Sequence, residues 1–201
     1  MSTDAEIIAR SVRSPAVFYE IFERHAAAIG AYARRRVGHD AAEDVLSDTF
    51  LVGFRRRAAF DSRWDSARPW LLGIATRVIR KHRATETAQW RAFERAAGAS
   101  GNLPRSDTAD ADGRLDASAA VHRLEPRIAS LPSRDRDTLL LYAWGDLTYE
   151  EVAVAMGVPV GTVRSRLNRV RRKLAPAAPP STPRPSTIAK EERNVANGPR
   201  A

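Results

Sequence analysis

The residues best suited to bind a ligand chemically lie between Val160 and Leu174, where six Lys or Arg occur without a single acid. A solvated surface helix ordinarily mixes signs so that charges four residues apart can pair, so a one-sided run calls for a polyanion. Laid on a helix at about 100 degrees per residue, Val160, Val163, Leu167, Val170 and Leu174 make one apolar stripe. The opposite face carries Gly161, Ser165, Asn168, Arg169 and Arg172, with Arg164 and Arg171 on its flank. Arg and Asn form paired hydrogen bonds with guanine and adenine edges in the major groove, and the other cations can hold phosphates. Arg164, Ser165, Asn168, Arg169, Arg171 and Arg172 are therefore the candidate DNA-reading residues. The competing reading, a basic face that only keeps the surface soluble, does not explain why the flanking signals fall in register with it.

Those flanking signals define the element that must carry the face. Thr148 and Glu151 form the T-x-x-E pattern of a capping box, which starts a helix. Gly157 can take the left-handed conformation that ends it, and Pro159 suits a first-turn position of the next helix. A short helix, a glycine turn and a basic second helix match helix-turn-helix docking, in which the second helix enters the groove. Helical periodicity returns near Val121 and is punctuated by Leu131-Pro132-Ser133 and Gly145-Asp146, giving a second domain over residues 121–175.

Upstream, residues 15–83 read as successive amphipathic helices with one internal proline, Pro69, and form a first domain behind an N-terminal extension, 1–14. Residues 84–120 turn to Ala, Ser, Gly, Asp and Thr and read as a flexible linker, although Trp90 and Phe93 are placed to extend the preceding helix. Residues 176–201 are rich in proline and small polar residues and read as a disordered tail. The fold class is all-α, two small helical domains on a tether.

The 33 Lys and Arg against 24 Asp and Glu leave a net charge of +9, which favours polyanionic partners. The absence of cysteine excludes disulfides and thiolate metal sites and fits a cytoplasmic protein. The N-terminus lacks the apolar core of a signal peptide, and no apolar run approaches the roughly 18 to 20 residues that span a bilayer. His25, His39, His82 and His122 are scattered without metal-ligand spacing, and no phosphate-binding glycine loop or nucleophile motif occurs. The expectation is a protein without catalytic residues, metal or cofactor.

The stretch LPSRDRDTLLLYAWGDLTYEEVAVAMGVPVGTVRSRLNRVRRKL resembles region 4 of bacterial RNA polymerase sigma factors, most closely in its Leu-Pro opening and Gly-Thr-Val-Arg-Ser-Arg-Leu core. Response regulators carry a related helix-turn-helix, so this stretch alone leaves the class open. The first domain decides it. FYEIFERHAAAIGAYARRRVGHDAAEDVLSDTFLVGFRRR resembles sigma region 2, including the segment that binds the polymerase clamp in the family. On a helix there, Val45, Leu46, Thr49, Phe50 and Val52 face inward, while Glu43, Asp44, Ser47 and Asp48 face out as an acidic strip in a basic chain. Those four are the core polymerase-binding candidates that the resemblance implies.

FDSRWDSARPWLLGIATRVIRKHRA resembles the segment that melts and reads the minus-ten element, with Trp70-Leu71 and Ile74-Ala75 at the family's Trp-Leu and Ile-Ala pairs. A melted strand needs a cationic track and an aromatic surface or pocket for an extruded base. Trp64, Arg77, Arg80 and Lys81 are the residues implied, Arg83 continuing the track, whereas Trp70 in its apolar run reads as core. Arg77 stands where the family commonly has Asn, a departure that bears on minus-ten base preference.

No extra domain separates the two matching stretches, a layout similar to the extracytoplasmic-function (ECF) group. In that family the linker lies in the RNA path, and Asp107, Asp110, Asp112 and Asp116 outnumber Arg105 and Arg114 here; an ordinary solvated linker explains them equally well. The resemblance implies core RNA polymerase and promoter DNA as partners, admits an anti-sigma protein, and requires neither membrane nor obligate homo-oligomer. The alternative is a stand-alone helix-turn-helix regulator that binds DNA without polymerase, normally as a dimer on a palindrome.

Overall fold

A computed structural model of the chain describes residues 2–96 and 126–175, the side chains of 90–96 excepted. Every regular element among the described residues is helical. The linker acids Asp107, Asp110, Asp112 and Asp116, His122 and the proline-rich tail lie outside them.

The N-terminal segment, read above as an extension, forms α1 (Asp4–Arg13). Its start is a capping box: the Thr3 hydroxyl accepts from the Glu6 amide at 3.2 Å, and the Glu6 carboxylate accepts from the Thr3 amide at 3.1 Å. This is the T-x-x-E signature that also marks Thr148. Ile7 and Ile8 are buried, so α1 belongs to the core of the first domain.

After a 3-10 turn (Pro15–Phe18), α2 (Tyr19–Val37) buries Ile21, His25, Ile29, Tyr32, Ala33 and Arg36. Next, α3 (Ala42–Arg56) buries Ala42, Val45, Thr49 and Phe50, and a second 3-10 turn (Arg57–Ala59) leads into a loop. The long helix α4 (Arg68–Ala96) extends thirteen residues past Arg83, so it passes Trp90 and Phe93 and takes up the first part of the stretch read as linker. Its N-terminal half is almost wholly buried from Leu71 to Thr76.

The second domain comprises α5 (Ser133–Ala143), α6 (Tyr149–Met156) and α7 (Val160–Leu174). Its apolar residues Leu141, Leu147, Val152, Ala155, Val163 and Leu167 join Leu71, Leu72, Ala75 and Ile79 in one continuous core. The closest approach is α4 against α6. A Cβ on Gly73 would stand 2.2 Å from the Ala155 carbonyl oxygen, so only glycine fits that crossing.

Around this crossing the seam is polar. Arg36 donates to Asp137 at 2.7 Å with both side chains at 2 % exposure or less. Arg36 also donates to the Tyr32 hydroxyl at 2.7 Å, which lies 2.9 Å from Thr76 Oγ1. Arg80 lies 3.5 Å from the other Asp137 oxygen, Arg68 donates to the Gly145 carbonyl at 2.9 Å, and Arg83 donates to the Arg36 carbonyl.

Candidate nucleic-acid interface

The second-domain element is built by local rules. The Thr148 hydroxyl accepts from the Glu151 amide at 3.2 Å and the Glu151 carboxylate accepts from the Thr148 amide at 2.8 Å, closing the capping box. Gly157 ends α6 at φ 64 and ψ 43, and the Val158 amide reaches back to the Ala153 carbonyl at 3.0 Å. Pro159 stands one position earlier than read from the sequence, as the extended N-cap before Val160. Proline suits that place as well, because its ψ of 147 is extended and it needs no donor there.

Along α7, Val163, Leu167 and Val170 are buried, with Val160 and Leu174 partly so. Arg164, Ser165, Asn168, Arg169, Arg171 and Arg172 are all exposed, on one continuous surface. The structure qualifies one inference about this face. The charge imbalance of α7 is partly answered from neighbouring helices: Arg169 Nη1 lies 2.9 Å from both carboxylate oxygens of Asp135, and Arg164 approaches Glu150 at 3.9 Å. Arg171 donates to the Tyr149 hydroxyl at 3.0 Å. Asn168 and Arg172 make no side-chain hydrogen bond to another described residue.

Sequence reasoning missed the cleft beside this face. Pro132, Ser133, Arg134 and Asp135 at the start of α5 line it together with Thr162, Ser165, Arg166 and Arg169 of α7. The Leu-Pro-Ser signal announces a helix start there, but which helix it adjoins is a tertiary fact.

In the first domain, Glu43, Asp44, Ser47 and Asp48 are all exposed on α3, with Val45, Thr49 and Phe50 buried behind them. Next to this strip lies a shallow aromatic groove lined by Pro15, Phe18, Tyr19, Phe22, Phe50 and Phe54. Tyr19 stacks on Phe22 at 5.9 Å between ring centroids, and Phe22 meets Phe50 edge-on at 4.9 Å. Tyr19 is 61 % exposed. The Phe-Tyr-x-x-Phe spacing was the available signal, read only as amphipathic helix.

The minus-ten candidates are spread along α4, Trp64 in the loop before it and Arg77, Arg80 and Lys81 toward its middle, and they are not equivalent. Trp64 is partly exposed at the foot of a loop whose tip is folded by Arg63, which donates to Asp61 at 2.6 Å. Those hydrogen bonds hold the Asp61 carboxyl below its ordinary range. Trp70 packs partly buried against the core and meets Phe60 edge-on at 5.3 Å.

Arg77 donates to the Ala155 carbonyl at 3.2 Å and Arg80 is drawn to Asp137, so two of the cations face the second domain, while Lys81 is exposed. Burial, then the adjacent Arg80 and Arg56 charges, push the Arg77 guanidinium below its usual value. A cluster of like charges in that state gains from a phosphate.

Two histidines are satisfied by carboxylates: His25 lies 2.6 Å from Asp4 and His82 lies 3.3 Å from Glu86. No cluster of metal-ligating residues occurs among the described residues, and no helix among them is long and apolar enough to cross a membrane.

Comparison with known proteins assigns this geometry. The family description "Sigma-70 region 2" matches residues 21–89, and "Sigma-70, region 4" matches residues 122–174. The ECF RNA polymerase sigma factor SigC of Mycobacterium tuberculosis is 32% identical over 140 residues, covering 70% of this chain and 71% of that protein. Among solved structures, CnrH in complex with the cytosolic domain of CnrY superposes with a TM-score of 0.57 at 22% identity, over 85% of this chain and 94% of that one. The sigma factor RpoE of Bartonella quintana, in complex with the anti-sigma factor NepR, gives a TM-score of 0.52 at 24% identity, over 78% and 93% of the two chains. At these identities the structural likeness speaks to the fold.

Proposed function

Because this chain belongs to the sigma-70 family of RNA polymerase sigma factors, in its ECF group, we propose that it acts in the cytoplasm, without catalysis or cofactor, by placing core polymerase on promoters through two separate DNA contacts. The observation that carries this reading is one chain holding both matched regions, each with an exposed surface suited to its task. A stand-alone regulator has no use for the first domain, and that alternative is set aside.

The acidic strip Glu43, Asp44, Ser47 and Asp48 is the docking surface for the polymerase, extended by the aromatic groove beside it. Exposed charges steer the encounter and the apolar groove supplies buried area. The exposed face of α7 reads the minus-35 element, with Asn168 and Arg172 ready and Arg169 exchanging Asp135 for DNA. That exchange carries a cost which Asn168 and Arg172 do not bear, because Arg169 is half-exposed but the Asp135 carboxylate it would leave is buried at 3 % exposure. Trp64 with Arg77, Arg80 and Lys81 engages the melted minus-ten strand.

The packed arrangement of the two domains has a functional consequence. Arg77 and Arg80 cannot hold phosphates while they face Ala155 and Asp137. The seam must therefore part when the chain reads both elements. Its chemistry favours separability: the buried Arg36–Asp137 pair leaves Arg36 Nε and Asp137 Oδ2 without hydrogen-bond partners, and water can satisfy both after opening. A chain closed in this way binds promoters weakly by itself. An anti-sigma protein, the partner class seen with RpoE, would act by keeping these surfaces covered.

In vitro transcription with core polymerase and a promoter library tests the proposal, comparing the intact chain with a truncation after Leu174. Enrichment of promoters sharing a minus-35 and a minus-ten element is expected, and absence of polymerase-dependent initiation would overturn it.

A further inference from the structure

The loop that carries Trp64 stands with both feet on α1. At its far end, the Asp4 amide donates to the Asp65 carbonyl at 3.0 Å, and Asp4 Oδ2 accepts from the Ala67 amide at 2.8 Å. At its near end, Arg57 Nε donates to the Ser11 carbonyl at 3.2 Å. Asp4 and Ser11 are seven residues apart on one helix, so a rigid rod about 10 Å long fixes the distance between the feet.

Asp4 is itself held from behind. Its Oδ2 lies 2.6 Å from His25 Nε2 and its Oδ1 accepts from Arg24 at 3.0 Å, both on α2. The carboxylate is 6 % exposed and the Ala67 amide it receives is buried. An acid this buried, with every partner accounted for, fixes geometry tightly, since any shift strands a polar group. Only the tip between the feet is free: Asp61 closes on Arg63, and Trp64 follows immediately before the clamped Asp65.

We propose that Asp4 is a positioning residue for promoter reading: through α1 it sets the height and orientation of the Phe60–Ala67 loop, and so where Trp64 meets the melted strand. The inference rests on the reading of this loop as a minus-ten contact. It assigns a role to an N-terminal segment that touches no DNA-facing element except through the loop's feet. Displacing a reacting or reading group by about 1 Å is enough to cost on the order of a hundredfold in a preorganised site, and removing one foot leaves the other in place, so a smaller loss is expected.

The test uses holoenzyme assembled from core polymerase and the full chain, on promoters randomised at the minus-ten positions. Asp4→Ala should slow promoter opening by about tenfold, the worth of one buried hydrogen bond, and flatten the minus-ten base preference. Core affinity and minus-35 dependence should stay unchanged. Asp4→Asn, which keeps one oxygen for the Ala67 amide, should restore most of the preference. Arg24→Ala, which removes the partner of Asp4 Oδ1 but spares His25 and the loop contact on Oδ2, should leave it intact.

If Asp4→Ala keeps the wild-type base preference while Trp64→Ala alters it, the loop reading stands and the positioning role of Asp4 is overturned. If core affinity and minus-35 dependence fall together with opening, Asp4 only stabilises the domain and the proposal is likewise overturned. If Trp64→Ala changes nothing at the minus-ten positions, the loop reading fails and takes this inference with it.

Discussion

The helix-turn-helix of α6 and α7 and the loop before α4 are the two surfaces proposed to meet DNA, yet they are positioned by opposite means. In the second domain each determinant lies within a few residues of what it shapes: Thr148 caps with Glu151, Gly157 turns, and Val163, Leu167 and Val170 seat the helix. In the first domain the loop is held by Asp4, 63 residues away, and of the cations behind it Arg77 is held by the Ala155 carbonyl, 78 residues away, and Arg80 by Asp137, whose buried partner Arg36 is 101 residues from it. Local rules make an element that is rigid alone. Long-range contacts make one whose geometry depends on the state of the whole chain, which suits a surface that is to be covered and uncovered.

The sharpest way to break that contrast is to cut the long-range side. Asp137→Ala leaves Arg36 as a buried unpaired charge, a cost of about 3–5 kcal/mol in the closed arrangement. The chain can escape by separating its domains, so small-angle scattering should show a larger radius of gyration and DNA binding without polymerase should rise. Gly73→Ala attacks the same seam sterically, through the Ala155 carbonyl, and should give the same expansion without any change of charge. A radius that stays at the wild-type value in both variants would mean the seam is not the element that closes the chain.

On the local side, replacing Arg164, Arg169 and Arg172 with Gln should reduce minus-35-dependent initiation by on the order of a hundredfold, since each base or phosphate contact is worth about 1–3 kcal/mol. The salt dependence of promoter binding should become shallower at the same time. Thermal stability should fall mainly through Arg169, whose loss leaves the buried Asp135 carboxylate unpaired, while the exposed Arg164 and Arg172 cost little. Promoter selection that survives the triple change removes α7 from the reading role.

This division also explains what could be read from the sequence. Thr148, Gly157 and the bounds of α7 were legible because capping, turning and amphipathicity are written in adjacent residues. The outward placement of Glu43, Asp44, Ser47 and Asp48 followed from helical periodicity alone. Helix α1 was legible in principle, since Thr3 and Glu6 repeat the Thr148 pattern, but a polar ten-residue segment carries a weak core signal. The seam was not legible: nothing around Gly73 or Asp137 tells which helix will cross there, and an arginine such as Arg36 reads as surface until its partner is known. For the same reason the pairing of Arg169 with Asp135 was invisible, and α7 looked more one-sided than its surroundings make it.

The brace on the loop has a signature in acid. Burial raises the Asp4 carboxyl, but hydrogen bonds from His25 and the Ala67 amide, the His25 charge and Arg24 outweigh it and hold the carboxyl at about 2, against an ordinary 3.8. A depressed folded value stabilises the fold above the unfolded value and loses that contribution as pH falls through the folded one. The window is therefore pH 4 to 2, and about 2 kcal/mol is lost across it. The difference in unfolding free energy between the wild type and Asp4→Asn should shrink over that range. A difference that stays constant with pH means that the Asp4 carboxyl is not held below its ordinary range by folding.

The smallest effect separates the two kinds of glycine. Gly157 has φ 64 with nothing within 4 Å of a Cβ placed on it, so Gly157→Ala meets no clash and costs only the left-handed backbone, about 1 kcal/mol. Gly73 sits inside a helix, where alanine is the better residue by intrinsic preference, and is required only by the Ala155 backbone. Gly157→Ala should therefore lower the melting temperature slightly, leave the scattering radius unchanged and weaken minus-35 binding only through fraying of α6. Gly73→Ala should alter the radius first. If Gly157→Ala expands the chain as Gly73→Ala does, the helix-turn-helix is not an independent unit, and its geometry depends on the seam as much as the loop's does.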